Sequence, residues 1–366
     1  MKRLLCILSG MNAGGAETFL MKVYRNIDRT EYQMDFCINS VECCFYEKEI
    51  LNMGGKIYRI PPKSKDLVAF RRELFAIVKD NGYQFVLRVT SNALGFMDLK
   101  LAKLAGASVC SARSSNASDG GGWKTEMLNR IGRIIYARYV DVRIAPSDLA
   151  AKYTFGERAY NCGEISIIHN GLDLDYFRYY SEKRLEVRKE FNVDSDTKLI
   201  GHIGRFDKQK NHEYLLEVFK QIHDKDINSK LLLVGQGALE NSIKEKVSRM
   251  SLTDSVIFAG IRTDIPELLS AMDVFVFPSL YEGMPNTVIE AQATGLPCVV
   301  ADTITKEANV TGLVEYLPLG DSEMWAECAL NAINNERADT KSCMISKEYD
   351  VDSVVARFVS CIYKDC

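Results

Sequence analysis

The feature that most constrains the fold is an alternation of short apolar runs and amphipathic stretches along almost the whole chain. "RLLCILSG", "YQFVLRV" and "KLIGHIGRF" are typical of strands, whereas "LVAFRRELFAIVKDNG" and "NHEYLLEVFKQIHDK" have the apolar spacing of helices. Nearly continuous apolar strands that alternate with helices predict parallel sheets covered on both faces. The expected fold class is therefore α/β.

The alternation weakens once, in the charged stretch "RYYSEKRLEVRKEFNVDSDT", and then restarts. A chain of 366 residues is long for a single core. We therefore expect two Rossmann-like, doubly wound domains, residues 1–180 and 190–349, that face each other across a cleft. Ligands of open parallel sheets bind beyond the carboxyl ends of the strands, so the cleft is the expected site.

Charge is distributed unevenly along the chain. Residues 1–180 hold 25 Lys and Arg against 19 Asp and Glu, and the remainder holds 21 against 30. The excess is sharpest between Lys56 and Arg143, with 16 basic and 7 acidic residues. This pattern suggests an anionic partner for the first half, although ordinary solvated helix faces explain it equally well. No nucleic acid partner is expected.

The eleven cysteines include no CxxC pair and are odd in number, which favours reduced thiols in a cytosol over a disulfide framework. The histidines lie far from cysteine pairs, so no metal site is expected. The first apolar run, Leu4–Leu8, is too short for the core of a signal peptide. No run approaches a transmembrane span, so we expect a soluble protein that can still touch a membrane surface.

Two motifs suit anionic ligands. In "GMNAGGAETF", Gly14 and Gly15 leave backbone N–H groups at the start of a helix, although a tight strand–helix turn explains them equally well. In "GHIGRFDKQKN", Arg205 and Lys210 follow a strand and can converge on a diphosphate. Asp207 lies between them, as we would also expect if both cations were ordinary surface residues with an acidic neighbour.

The third motif is "LYEGMPNTVIEAQATGLP". Thr287 and Glu290 fit a capping box, with Thr287 as the N-cap, and Gly295 suits the position just after the helix. That interpretation explains Glu290 without a ligand. It does not explain Glu282, which lies with free backbone amides before the helix. The acidic pairs "DLD", "DSD" and "DVD" fit turns and caps better than a metal site.

Together these motifs give the chain a family likeness. "HNGLDLDYF", "GHIGRFDKQKNHEYLLEVF" and "AMDVFVFPSLYEGMPNTVIEAQATGLP" resemble the retaining GT-B glycosyltransferases of family 4, above all bacterial capsule and exopolysaccharide enzymes. The combination of G-R-x-x-x-x-K with E-x7-E is specific, and the likeness covers nearly the whole chain. It implies an N-terminal acceptor domain, a C-terminal nucleotide-sugar domain, and a last helix, residues 350–366, that packs back on the first domain.

The resemblance also implies residue roles. Arg205 and Lys210 would hold the donor diphosphate and form the catalytic set with Glu282, which would contact the transferred sugar. The implied donor-binding residues are Gly14, Gly15, Gly204, Gly260, Arg262, Gly283, Met284, Asn286, Thr287 and, at the ribose, Glu290. The family histidine near the sugar is absent from "ASVCSARSSNAS", where Arg113 and Ser114 are candidate sugar or acceptor contacts.

The implied reaction is metal-independent, retaining transfer of a hexose from a nucleotide diphosphate sugar, with UDP expected, to a lipid-linked glycan in bacterial surface polysaccharide synthesis. No cofactor is expected besides the sugar nucleotide. Basic "RRELFAIVK" and "RIGRIIYAR" are candidate helices for an anionic inner leaflet, which predicts a cytoplasmic protein peripheral to the membrane. The alternatives are a sugar-nucleotide epimerase or hydrolase of the same fold, and a non-catalytic sugar-nucleotide-binding partner.

Overall fold

The computed structural model describes residues 1–12, 14–40, 42–115 and 122–363, with the side chains of 122–125 excepted. The chain forms two compact units, Met1–Gly171 with Glu348–Cys366, and Leu172–Lys347. The first unit thus ends before the expected position 180. The reason is that the following segment bonds to the second unit, where Asp175 pairs with Lys341 at 2.5 Å.

The first unit is built on a parallel sheet in the order β3-β2-β1-β4-β5-β6-β7. Its strands are Lys2–Leu8 (β1), Tyr32–Ile38 (β2), Ile57–Arg59 (β3), Phe85–Thr90 (β4), Val109–Ser114 (β5), Val142–Ala145 (β6) and Ile165–Ile167 (β7). Its helices are Gly15–Asn26 (α1), Glu47–Asn52 (α2), Leu67–Asp80 (α3), Phe96–Leu104 (α4), Gly122–Tyr136 (α5), Asp148–Phe155 (α6), Glu157–Asn161 (α7) and, at the end of the chain, Val351–Ile362 (α15).

Both faces of this sheet are covered, as its apolar strands predict. Along β1, Leu4 and Cys6 belong to the core on one face, while Leu5 and Ile7 belong to the core on the other. The last helix, α15, packs on α1 within the first of these cores. The chain therefore returns to the first unit to complete its core.

The second unit is a parallel sheet in the order β10-β9-β8-β11-β12-β13. Its strands are Lys198–Ile203 (β8), Ser229–Val234 (β9), Val256–Gly260 (β10), Val274–Phe277 (β11), Cys298–Ala301 (β12) and Val314–Leu317 (β13). Its helices are Ser181–Glu190 (α8), His212–Lys225 (α9), Glu240–Arg249 (α10), Ile265–Ala271 (α11), Asn286–Ala293 (α12), Ser322–Ile333 (α13) and Lys341–Ser346 (α14).

Each sheet has a point at which the strand order reverses. In the first unit the chain builds outward from β1 through β2 and β3, then crosses back to place β4 on the other side of β1. In the second unit the chain builds outward from β8 through β9 and β10, and then crosses back to place β11 on the other side of β8. The helices that follow the two strands then lie on opposite faces, which opens a crevice at the carboxyl ends where ligands of this fold class bind.

The helix ends show one error in the sequence prediction. Thr287 is not the N-cap of α12, because the helix already begins at Asn286 and its N-cap residue is Pro285. The carbonyl of Pro285 accepts the N–H groups of Val288 and Ile289 instead, which places Thr287 inside the first turn. The capping-box explanation of Glu290 is therefore wrong.

Other end signals are confirmed. Gly295 ends α12 with φ +69°, and the N–H of Leu296 reaches back to the carbonyl of Ala291 at 3.0 Å, as in a Schellman motif. The carboxylate of Asp350 caps α15 by accepting the Ser353 N–H at 2.8 Å. Asp350 of the "DVD" motif therefore caps a helix, as the sequence predicts.

The cysteines that the structure describes are all free thiols. Within the described ranges, no helix combines the length and apolar character that a membrane crossing needs.

Candidate functional site

The reversal point of the second sheet brings together a cation and a carboxylate from two separate motifs. Lys210 ends a short 3-10 turn, Lys208–Lys210, after β8, and Glu282 lies in the loop after β11. The Lys210 Nζ lies 2.6 Å from the Glu282 Oε1, and the two side chains are only 15% and 10% exposed. The strand order, not sequence proximity, makes these residues partners.

Lys210 is held in place from several directions. Its backbone N–H donates to the Asp207 carboxylate at 3.2 Å. Its ammonium also lies 4.7 Å from the centre of the Phe277 ring, at the end of β11. Gly204 leaves room for its aliphatic stem, since a Cβ there would come within 3.1 Å of the Lys210 side chain. The ammonium is therefore oriented before any ligand arrives.

The Arg205 side chain is less constrained by its neighbours than that of Lys210. Its side chain is 77% exposed, and its guanidinium is 3.4 Å from the carboxylate of Asp207. Asp207 thus binds the backbone of one predicted cation and the side chain of the other. The structure brings Arg205 and Lys210 to one loop, where the exposed guanidinium can swing toward an anion.

Two residues that the sequence prediction missed hold the β8 and β11 loops together. The Gln209 carbonyl accepts the Leu280 N–H at 2.8 Å, and the Gln209 amide donates to the Tyr281 carbonyl at 2.9 Å. Asn211, in a left-handed conformation, donates to the Pro278 carbonyl at 3.2 Å. An asparagine directly before a helix was the available signal, since asparagine adopts this conformation more readily than most residues.

Gly235, in "LLLVGQG", is a further missed residue. Its φ is +138°, and a Cβ would lie 2.2 Å from the carbonyl oxygen of Gly204. Only glycine lets the β9 loop approach the loop that carries Arg205 so closely. The spacing of this motif alone did not predict the contact.

The remaining donor-site candidates lie at the same edge of the sheet. Gly283 and Met284 are in the loop after Glu282, whereas Asn286, Thr287 and Glu290 lie in the first turns of α12. Glu290 is half-buried. The structure therefore places these candidates in one continuous segment beside Glu282, while their contacts with a donor stay predictions.

Gly260 and Arg262 lie at and just after the end of β10. The Arg262 guanidinium donates to both carboxylate oxygens of Asp264, at 2.8 and 2.6 Å, and also pairs with Glu190. These bonds raise the pKa of Arg262. Its side chain is thus occupied by carboxylates, and a role toward a nucleotide base stays a prediction.

Two neutral imidazoles lie beneath the Lys210 loop. His202 is fully buried and its Nδ1 is 2.9 Å from the Val276 carbonyl. His212 stacks on Phe206 with ring centres 4.2 Å apart. Burial lowers the pKa of both histidines, that of His212 to about 4. They therefore pack as uncharged aromatic groups under the cationic loop.

In the first unit, Gly14 and Gly15 lie where the sequence predicts, at the start of α1. Both are exposed, and the N-cap residue, Gly14, has no side chain that could cap the helix. Glu17, one turn further on, is half-buried, and burial raises its pKa. This helix end carries partial positive charge, and the Glu17 carboxylate already lies 2.4 Å from where a Cβ of residue 14 would be, so contact with a donor anion stays a prediction.

Arg113 and Ser114 are enclosed. The Arg113 guanidinium lies 3.6 Å from the centre of the Phe19 ring and donates to Asn170 Oδ1 at 2.7 Å. Burial lowers the pKa of Arg113 to about 9. The Ser114 hydroxyl bonds to that of Thr154 at 2.7 Å. In this structure both side chains hold the end of β5 in place, and contact with a sugar or acceptor stays a prediction.

A cavity of about 620 Å³ opens at the reversal point of the first sheet. It is lined by residues at the carboxyl ends of β1, β4 and β5 and by the starts of α1 and α4; they include Ser9, Glu17, Lys63, Arg88, Asn92 and Ser115. Each unit thus presents polar groups at its own reversal point. In the described part of the chain, no group of three or more His, Cys, Asp or Glu side chains is arranged to hold a metal ion.

Comparison with known proteins identifies the family of the chain. A sequence model described as "Glycosyltransferase Family 4" matches residues 13–176, and one described as "Glycosyl transferases group 1" matches residues 197–335. EpsF of Bacillus subtilis, named as a glycosyltransferase, is 34% identical over 337 residues, which is 90% of this chain and 88% of that protein.

A shorter match is the Escherichia coli UDP-Gal:alpha-D-GlcNAc-diphosphoundecaprenol alpha-1,3-galactosyltransferase, 39% identical over 142 residues, which is 38% of this chain and 37% of that enzyme. The crystal structure of Anabaena HepE in complex with UDP superposes over 100% of both chains with a TM-score of 0.81 at 17% identity. That likeness confirms the GT-B fold. Since the matches to EpsF and to the two sequence models span most of the chain, the protein belongs to glycosyltransferase family 4.

Proposed function

We propose that the protein transfers a hexose from a UDP-sugar to a lipid-linked glycan, with retention at the anomeric carbon, in bacterial surface polysaccharide synthesis. The observation that carries this proposal is the Lys210–Glu282 pair at the reversal point of the second sheet, with the exposed Arg205 beside it. Support for the donor comes from HepE, which was solved with UDP. Support for the acceptor comes from the E. coli relative, whose name specifies a sugar on diphosphoundecaprenol.

The pair explains how a leaving group is stabilised. When the bond from the anomeric carbon to the diphosphate oxygen breaks, negative charge grows on the diphosphate. The Lys210 ammonium and the Arg205 guanidinium are positioned to bind that charge, which lowers the barrier electrostatically. The acceptor oxygen then bonds to the anomeric carbon on the same face, and its proton passes to the departing diphosphate.

Glu282 has two roles in this scheme. It is the counterion that orients the Lys210 ammonium at 2.6 Å, and its second carboxylate oxygen is available to the hydroxyls of the donor sugar. Donor binding replaces part of the Glu282 contact with a phosphate oxygen. The carboxylate then lies beside the sugar that is transferred.

We also propose that these cations serve in place of a metal ion. The test is transfer from UDP-glucose, UDP-galactose and UDP-N-acetylglucosamine to a synthetic N-acetylglucosaminyl diphosphate lipid, with and without EDTA. Activity should persist in EDTA. Lys210→Ala should lower kcat by about 100-fold or more, the loss typical of removing one preorganised electrostatic group.

The contrary outcomes are distinct. Activity that EDTA abolishes and only a divalent ion restores would refute metal independence. Consumption of donor without an acceptor would favour an epimerase or hydrolase. UDP binding without turnover on any acceptor would favour a non-catalytic role.

We further propose that α5, and not α3, contacts an anionic bilayer. Apolar side chains at helical spacing are exposed along α5, and Ile134 is the most exposed at 76%; the others are Met127, Leu128, Ile131 and Ile135. Arg130 and Arg138 flank them on the surface. On α3 the apolar residues Phe70, Leu74 and Val78 face the core. The large exposed apolar residues of α3, Leu67 and Val68, are confined to its first turn, whereas those of α5 run along the helix beside its cations.

Vesicle sedimentation tests this surface. The protein should bind vesicles that contain phosphatidylglycerol and bind phosphatidylcholine vesicles weakly, and Ile134→Glu should reduce the binding at least tenfold. Ile227→Glu in the second unit is the matched control, because Ile227 is 78% exposed and lies outside α5. Equal loss in both variants would contradict a docking role for α5.

A further inference from the structure

The two strands that carry Lys210 and Glu282 separate before they end. The backbone ladder between β8 and β11 reaches the pair Gly201 and Phe275. On their other sides, β8 continues to pair with β9 up to Ile203, and β11 continues to pair with β12 up to Phe277. The last residues of β8 and β11 therefore diverge, which opens the crevice of the second sheet.

His202 bridges this opening. It follows Gly201 on β8, and its Nδ1 is 2.9 Å from the carbonyl oxygen of Val276, the residue after the last ladder position on β11. Because a carbonyl only accepts, Nδ1 is the nitrogen that donates. Gln209 and Asn211 join the two loops beyond the strand ends, whereas His202 joins the strands beneath them.

Packing alone would favour a phenyl ring in place of this imidazole. His202 is fully buried, and its ring stacks on that of Phe277 with centres 5.5 Å apart. Burial lowers its pKa well below the usual value, so the ring is neutral. Among the residues that the structure describes, Nε2 has no hydrogen-bond partner, and an unpartnered buried nitrogen costs free energy. The bond from Nδ1 to the Val276 carbonyl is what a histidine adds to the packing.

The imidazole also adjoins the groups that act on the donor. The Phe277 ring, on which His202 stacks, lies 4.7 Å from the Lys210 ammonium. A Cβ at Gly204 would lie 3.0 Å from His202 Nε2 and 3.1 Å from the aliphatic stem of Lys210. Glu282 follows Phe277 by five residues. A shift of β11 relative to β8 would therefore change the 2.6 Å separation of Lys210 and Glu282.

We propose that His202 is a positioning residue, which holds the end of β11 to β8 so that Lys210 and Glu282 act together on one donor molecule. This inference rests on the proposed transferase function and adds a buried residue to it. In that reaction Lys210 binds the diphosphate while Glu282 lies beside the sugar, so the rate depends on their separation. UDP needs the diphosphate site alone. Loss of the His202 bond should therefore lower kcat more than it weakens UDP binding.

Two substitutions separate the bond from the ring. His202→Phe keeps a ring and removes the N–H, whereas His202→Asn removes the ring and keeps an N–H, because Asn Nδ2 and His Nδ1 are both bonded to Cγ. At saturating donor, kcat should fall about tenfold in His202→Phe, since a misplacement of about 1 Å can cost up to about 100-fold. In His202→Asn it should stay within about threefold of the wild type. Urea denaturation should give the reverse order, with His202→Asn less stable because of the cavity it leaves.

His223→Phe is the matched control. His223 is half-buried in the same unit, and its ring nitrogens lie 3.2 Å from Ser229 Oγ and 3.3 Å from Ser255 Oγ, at the amino ends of β9 and β10. It should leave kcat unchanged. A higher kcat in His202→Phe than in His202→Asn would overturn the proposal. If His202→Asn does not fold, an unchanged kcat in His202→Phe overturns it instead.

Calorimetry with UDP gives a readout that does not depend on turnover. In the wild-type background, Glu282→Gln should tighten UDP binding about tenfold, because it removes the charge that pairs with Lys210. In the His202→Phe background, the same change should alter the affinity less than about threefold, because the two groups are no longer held together. Equal changes in the two backgrounds would overturn the positioning role.

The outcomes separate this inference from the proposed function. If the wild-type protein transfers sugar and His202→Phe does so at the same rate, the positioning role is wrong while the transferase function stands. If the wild-type protein transfers sugar to no acceptor, yet the calorimetric difference between the two backgrounds is present, the proposed reaction is refuted and His202 still positions the diphosphate site.

Discussion

The Lys210–Glu282 pair makes a prediction in which binding and turnover change in opposite directions. Glu282→Gln keeps the shape of the side chain and a neutral acceptor for the Lys210 ammonium, but it removes the competing negative charge. UDP carries the diphosphate but lacks the transferred hexose, so a change in its affinity reports the diphosphate site without the contact between Glu282 and the donor sugar. We expect UDP to bind the variant more tightly, while kcat falls because the carboxylate beside the donor sugar is lost.

The magnitude follows from the geometry. At 2.6 Å and an effective dielectric constant of about 20, the attraction between the two charges is roughly 6 kcal/mol. Desolvation of two side chains that are 15% and 10% exposed and the bond that Gln retains offset most of it. A net change of about 1.5 kcal/mol, typical of bonds to charged groups, corresponds to about tenfold tighter UDP binding.

Titration calorimetry with UDP measures the affinity, and initial rates at saturating donor measure kcat. Glu213→Gln is the matched control, because Glu213 is an exposed carboxylate in the first turn of α9, three residues after Lys210. It should leave both quantities nearly unchanged. Unchanged or weaker UDP binding in Glu282→Gln, with the fold intact by circular dichroism, would refute the idea that the carboxylate competes with the diphosphate.

Two further predictions concern stability. Gly295→Ala should lower the free energy of unfolding, measured by urea denaturation, by about 1–3 kcal/mol, because φ is +69° and the new Cβ would lie 2.2 Å from the Ala338 carbonyl oxygen. Gly312→Ala is the control, because φ is +85° there but the new Cβ would meet no atom within 4 Å, so its loss should be smaller. Equal losses in the two variants would contradict the steric explanation. His212 has a pKa of about 4 in the folded protein, against about 6.5 in the unfolded chain. Because the unfolded chain binds the proton more readily, the free energy of unfolding should fall by up to about 3 kcal/mol as pH falls from 6.5 to 4. His212→Phe should flatten that acid dependence in thermal unfolding, and an unchanged pH profile would contradict it.

Much of the fold could be predicted from the sequence because the signals are local. The apolar runs and helical spacings predict parallel sheets, and the structure confirms them. Gly295 could be identified as a helix end because the left-handed conformation strongly favours glycine. The position of Thr287 could not be predicted, because a Thr three residues before a Glu fits a capping box whether or not the helix has already begun. Here Pro285 supplies the carbonyl that starts the helix.

The candidate site likewise combines local features that the sequence predicts with contacts that only the fold creates. The sequence by itself determined that two cations follow a strand and that a carboxylate precedes a helix, since each motif is a few residues long. Only the tertiary structure placed the ammonium of Lys210 against the carboxylate of Glu282, 72 residues away, because the order of strands makes β8 and β11 neighbours. The tertiary structure also enclosed Arg113 against Phe19, and it set Lys63 and Arg88 around the buried Asp98. Such contacts depend on which strand ends meet at the reversal point of a sheet, and no pattern of neighbouring residues encodes that.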